Sequence, residues 1–71
     1  MDSLFKAVEH QVLLGREISF RSEMNCLMIT LSGRENSNEQ ALPLSDHFYE
    51  KRVVACIEFM SNELNKKDEN N

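Results

Sequence analysis

Apolar residues return at four-residue steps at the start of the chain, as Leu4, Val8 and Val12, with Phe5 beside them and Lys6, Glu9 and His10 elsewhere on the wheel. This spacing predicts an amphipathic helix over Ser3 to Leu14. Asp2 or Ser3 offers a side-chain oxygen to an unpaired amide at its start, and Gly15 suits the left-handed position past its end. From Arg16 to Ser22 the pattern becomes an alternation, Ile18 and Phe20 apolar against Glu17, Ser19 and Arg21, which predicts a half-buried strand. After a turn around Glu23 to Asn25, the run Cys26-Leu27-Met28-Ile29-Thr30-Leu31 places Leu27, Ile29 and Leu31 on one face. A run this apolar suits a central strand, paired with the first as an antiparallel hairpin.

Ser32 to Gln40 is polar and reads as an exposed loop. Ala41-Leu42-Pro43-Leu44 is short and apolar; proline lacks the amide a ladder needs, so a third strand here is an optional one and belongs on an edge. Ser45 or Asp46 then caps a second helix running to about Asn65, with Leu44 placed to staple its entry. Tyr49, Val53, Cys56, Ile57, Met60 and Leu64 form its core stripe, with Val54 at the margin. Residues 66–71 have nothing apolar to bury and are expected to be a disordered charged tail after a single domain over residues 1–65. The expected fold is a two-layer α+β domain, α-β-β-(β)-α, in which two helices pack on one face of an antiparallel sheet of two or three strands.

The second helix carries another apolar line. Phe48, Ala55 and Phe59 lie about 160° to 200° from Ile57 at about 100° per residue, flanked by Lys51 and Arg52. A helix with one face on a sheet is expected to show water a polar face on the other. Three arrangements answer this: the first helix covers the phenylalanines, a second copy does, or another protein does. Phe48, Arg52, Ala55 and Phe59 are therefore the expected interface residues, with a homodimer and a protein partner as the expected associations.

Length makes that surplus matter. At 71 residues a single core supplies only about 3 to 5 kcal/mol, and natural domains of this size usually add a disulfide, a metal or a partner. Cys26 and Cys56 sit thirty positions apart inside apolar patterns, without a Cys-x-x-Cys pair, and read as reduced core thiols. No apolar run approaches the roughly 18 residues of a membrane span, and the first residues lack a signal peptide's basic region, so a cytoplasmic protein without a membrane partner is expected. The net charge of -4 repels nucleic acid at long range.

Candidate chemistry is thin. His10, Cys26, His47 and Cys56 are zinc-binding residue types without the close ligand spacing of a zinc site, so neither a metal nor a cofactor is expected. Two cysteines in apolar runs argue for inert thiols. His47 follows Asp46 in the first turn of the second helix and reads as solvated. Gly15 and Gly33 stand alone, which leaves no phosphate loop, and no carboxylate pair sits in an apolar setting that would split its pKa values. No enzyme is expected.

The order helix, three strands, helix over residues 3–65 resembles that of the double-stranded RNA-binding domain, which implies duplex binding through a lysine-rich start to the last helix and a Gly, Pro and His loop between the first strands. Here the helix opens Asp46-His47-Phe48-Tyr49-Glu50-Lys51-Arg52 and the turn is Ser22-Glu23-Met24-Asn25. Neither element matches, and direct nucleic-acid binding is not expected. The leading expectation is a non-enzymatic interaction or regulatory protein that self-associates through its second helix and binds another macromolecule. The alternative is a small acidic inhibitor that blocks a nucleic-acid-handling enzyme by charge mimicry, with Glu35, Glu39, Glu50, Glu58 and Glu63 as its row of carboxylates.

Overall fold

A computed structural model of the chain describes residues 2–45 and 49–69. Among them the order is α1 (Ser3–Leu13), β1 (Glu17–Glu23), β2 (Cys26–Ser32), β3 (Ser37–Pro43) and α2 (Tyr49–Glu69). The strands form one antiparallel sheet in the order β1-β2-β3. The protein is an α+β domain with a complete third strand.

Both ends of α1 follow from their sequence. The Asp2 carboxylate accepts from the Leu4 amide at 2.9 Å, and Gly15 takes φ +80° just past Leu14, a conformation that a Cβ disfavours. The inward face of α1 differs from the expected stripe. Leu4, Ala7 and Val8 pack toward the core and Gln11 is buried, whereas Val12 is 57% exposed. Gln11 takes the inward place because its side chain has a buried partner, described below.

Alternation along β2 puts Leu27, Ile29 and Leu31 on the core face, where Ile29 and Leu31 are fully buried with Leu42 of β3 and with Val53, Ile57, Met60 and Leu64 of α2. Of the stripe expected on α2, Val53, Ile57, Met60 and Leu64 are buried and Cys56 is half-buried against them, whereas Tyr49, in the first turn of the helix, is 37% exposed. The opposite sheet face carries Cys26, Met28 and Thr30, and across it Arg21 reaches Glu23 at 3.2 Å and Glu39 at 2.9 Å. Hydrogen bonds from Arg21 and then from Thr30 hold the Glu39 carboxyl below its ordinary pKa. All three side chains of the ion-paired set stand in water, where such pairs add little stability.

Two hydrogen bonds establish the phase of the ladder. Gly33 N donates to Asn36 O and Leu44 N to Asn25 O, so by alternation Leu27–Leu42, Ile29–Gln40 and Leu31–Asn38 are the bonded pairs between β2 and β3. The main-chain groups of Ser37, Glu39 and Ala41, and the Pro43 nitrogen, then face the open edge, where proline costs no ladder bond. On the other side Glu17, Ser19, Arg21 and Glu23 bond to β2, which turns the amides of Ile18, Phe20 and Ser22 outward.

Two boundaries depart from expectation. β3 starts at Ser37, inside the stretch read as loop, because its inward positions Asn38 and Gln40 are half-buried but polar and leave no hydrophobic alternation. Second, α2 runs to Glu69, through Lys66, Lys67 and Asp68, which hydropathy assigns to the tail. The Asp68 carboxylate accepts from Asn36 Nδ2 at 3.2 Å, and Lys66 lies 3.9 Å from Glu63, so contacts other than apolar burial hold this turn. At the entry to α2, the expected cap at Asp46, and with it His47 and Phe48, lies outside the described residues.

Met24 and Asn25 join β1 to β2 with φ of 50° and 62°, the two positive values of a type I′ turn. Methionine is poorly suited to that conformation. Replacing the pair by Asn-Gly is expected to stabilise the fold by about 1 kcal/mol and to raise Tm by about 4 to 8 °C, measured by thermal denaturation.

Candidate functional site

Three of the four expected interface residues, Arg52, Ala55 and Phe59, line one groove. Arg52, Ala55, Cys56 and Phe59 of α2 face Gln40, Ala41, Leu42 and Pro43 of β3 across a hollow of about 320 Å³. Helical spacing produces one wall, since residues 52, 55, 56 and 59 follow the i, i+3, i+4, i+7 pattern. The edge position of β3 produces the other. Leu42 forms the floor of the groove as a buried core residue, and Ala41 and Pro43 are exposed beside it.

Phe59 is 51% exposed and Ala55 is exposed. α1 does not cover this line; it borders the other flank of α2, where Ser3, Ala7, His10 and Gln11 stand against Val54, Ile57 and Glu58. The two flanks are separated by the buried stripe, so the first helix cannot serve both. Arg52 is exposed and engaged within the protomer. Phe48, the fourth expected residue, lies outside the described set.

Burial raises the pKa of the half-buried Cys56 thiol, with the Arg52 charge acting in the opposite direction. The thiol is therefore protonated at neutral pH and a poor nucleophile. Cys26 is also free and half-buried. No three of the His, Cys, Asp and Glu side chains converge as metal ligands among the described residues, and no described helix is long and apolar enough to cross a membrane.

The tertiary structure creates one carboxyl pair that spacing did not reveal. Asp2 and Glu50, forty-eight positions apart, meet where α1 begins: a hydrogen bond shared with Glu50 lowers the Asp2 pKa, and the same bond, followed by the charge of Asp2, raises that of Glu50. Both stand in water, and the Leu4 amide contributes to both. A proton shared at an exposed helix start explains the split without a reacting centre.

Arg16 was unmarked in the sequence beyond its charge. Its side chain is 7% exposed. Nη1 donates to Gln11 Oε1 at 3.1 Å and to Ser61 Oγ at 2.7 Å, and Nη2 donates to Asn65 Oδ1. The Asp68 carboxylate is 3.8 Å away and mostly exposed. One guanidinium thus ties the end of α1, the entry to β1 and the last turns of α2 through mostly neutral acceptors. A shallow hollow of about 440 Å³ nearby is lined by Arg16, Arg34, Glu35 and Asp68, two charges of each sign that give it no preference for an anion or a cation.

Comparison with protein-family models, with curated proteins and with solved structures returns no match for this chain.

Proposed function

We propose that this chain is a non-enzymatic interaction protein of the cytoplasm, which self-associates through the outer face of α2 and in that form binds another macromolecule. The half-exposed Phe59 beside an apolar groove carries the reading. A second copy related by a two-fold axis presents the same ring and the same groove, so each Phe59 can be buried by the other's wall. Burying the exposed half of each ring is worth about 0.8 to 1.5 kcal/mol, or about 1.5 to 3 kcal/mol for the symmetric pair, against a net stability of about 3 to 5 kcal/mol for a domain this small. The raised Cys56 pKa and the water-exposed carboxyl pair favour a binding role over a catalytic one.

Light scattering on the purified chain at tens of micromolar tests the association. The expected result is a dimer that Phe59→Asp shifts to monomer with the circular dichroism of the fold retained, because a charge at a half-exposed site is tolerated in water and not in an apolar contact. A wild-type monomer, or a dimer unmoved by Phe59→Asp, overturns the reading.

A further inference from the structure

The sheet has an open edge at β1, apart from the α2 groove. β1 is exposed along its whole length except for half-buried Ile18, and Phe20 is 43% exposed although it points to the core face. The outward amides of Ile18, Phe20 and Ser22 follow from the ladder phase derived above. The open edge of β3 ends in Pro43; β1 has no proline, which leaves its edge able to accept another strand. On α1, Phe5 is 64% exposed and Val12 57%. They lie within about 20° of each other on the wheel and opposite the residues that face α2. Apolar surface and open main chain therefore occur together on this side of the domain, where α1 packs against β1.

Charge decides the occupant and the register. The strand reads Glu17-Ile18-Ser19-Phe20-Arg21-Ser22-Glu23. Laid antiparallel on a second copy with outward amides matched, it has few registers. Placing Phe20 opposite the partner's Phe20 sets Glu17 against the partner's Glu23, two like charges, and a shift the other way sets Arg21 against the partner's Arg21. One register sets Ile18 opposite the partner's Phe20 and Glu17 opposite the partner's Arg21, each twice by symmetry. It brings apolar residues together on the helix face and opposite charges together on the other, the arrangement that stabilises cross-strand pairs.

We propose that β1 is a homotypic pairing edge: two copies join their first strands in this register through four main-chain hydrogen bonds and form a continuous six-stranded sheet. A two-fold contact of this kind closes on itself. Where the α2 contact also forms, the two together link protomers into chains.

The test uses the Phe59→Asp chain, in which only the β1 contact remains, followed by sedimentation velocity from about ten micromolar to about one millimolar. The expected result is a chain that is monomeric at tens of micromolar and dimerises as the concentration approaches about one millimolar. N-methylation of Phe20, introduced by chemical synthesis, removes an outward amide and leaves the β1–β2 bonds intact; it is expected to weaken the dimer at least tenfold with unchanged circular dichroism. Glu17→Arg and Arg21→Glu are each expected to weaken it about tenfold, since two like-charge pairs arise by symmetry, and the double variant to restore it. A Phe59→Asp chain that stays monomeric throughout, a dimer indifferent to Phe20 N-methylation, or a double variant no better than the single ones overturns the proposal. A wild-type dimer broken by N-methylation and unmoved by Phe59→Asp supports β1 pairing and overturns the α2 contact, so the two failures are distinguishable.

Discussion

Replacing Arg16 with alanine is expected to destabilise the fold by about 2 to 4 kcal/mol, a large share of the net stability of so small a domain. The loss has two parts. Charge-assisted hydrogen bonds to Gln11, Ser61 and Asn65 disappear, and the buried side chains of Gln11 and Ser61 are left facing a space that held a cation. In a urea titration with m of about 1 kcal/mol per molar, the midpoint falls by about 2 to 4 M. Arg16→Lys keeps the charge but not the planar fork that reaches three acceptors, so it recovers only part of the loss. Asp68→Ala supplies the contrast. Its carboxylate is 58% exposed and 3.8 Å from Arg16, and its loss costs less than about 1 kcal/mol. If Asp68→Ala costs as much as Arg16→Ala, the ion pair holds the junction and the neutral acceptors do not.

The second large effect separates the two faces of α2. Ile57 is fully buried between helix and sheet, so Ile57→Ala removes its side chain from a closed core and is expected to cost about 2 to 5 kcal/mol, the wide range reflecting how far the core can collapse. Phe59, two positions on, is 51% exposed, and Phe59→Ala in the monomer is expected to cost under about 1.5 kcal/mol. The ordering of the two midpoints is the check. Should Phe59→Ala be as costly as Ile57→Ala in a monomer, the ring contributes to the protomer's own core and the groove beside it is not a contact surface.

The core face of α2 was legible because burial and helical period select the same residues: Val53, Ile57, Met60 and Leu64 repeat at helical spacing and are the buried set. β2 was legible for the same reason at period two. The hairpin turn was legible to within one residue: Glu23, read as part of it, ends β1 opposite Cys26, and Met24 is not a residue that announces a positive φ. β3 was hidden because a strand's half-buried edge tolerates Asn38 and Gln40 on its inner face. The end of α2 was hidden for a related reason. Lys66 gains Glu63, and Asp68 gains Asn36 and Arg16, through polar contacts to which hydropathy is blind.

The candidate groove was half legible. Wheel geometry picked Arg52, Ala55 and Phe59 as a line apart from the core, and their exposure follows from that placement. Which element stands opposite them did not follow. Nothing in a helical wheel distinguishes a flank facing α1 from one facing β3, because both flanks border the same buried stripe.

By itself the sequence determined the two helices, the two antiparallel strands of the hairpin and most of the core stripe of α2, since each depends on periodicity among neighbours. Tertiary structure alone decided that α1 packs on the Val54 and Glu58 flank and leaves Phe59 to β3. It also decided that Arg16 is buried, by bringing Ser61 and Asn65 to it from 45 and 49 positions away. A charged residue enters a core only where distant acceptors converge on it, and no local pattern in the chain records where they will meet.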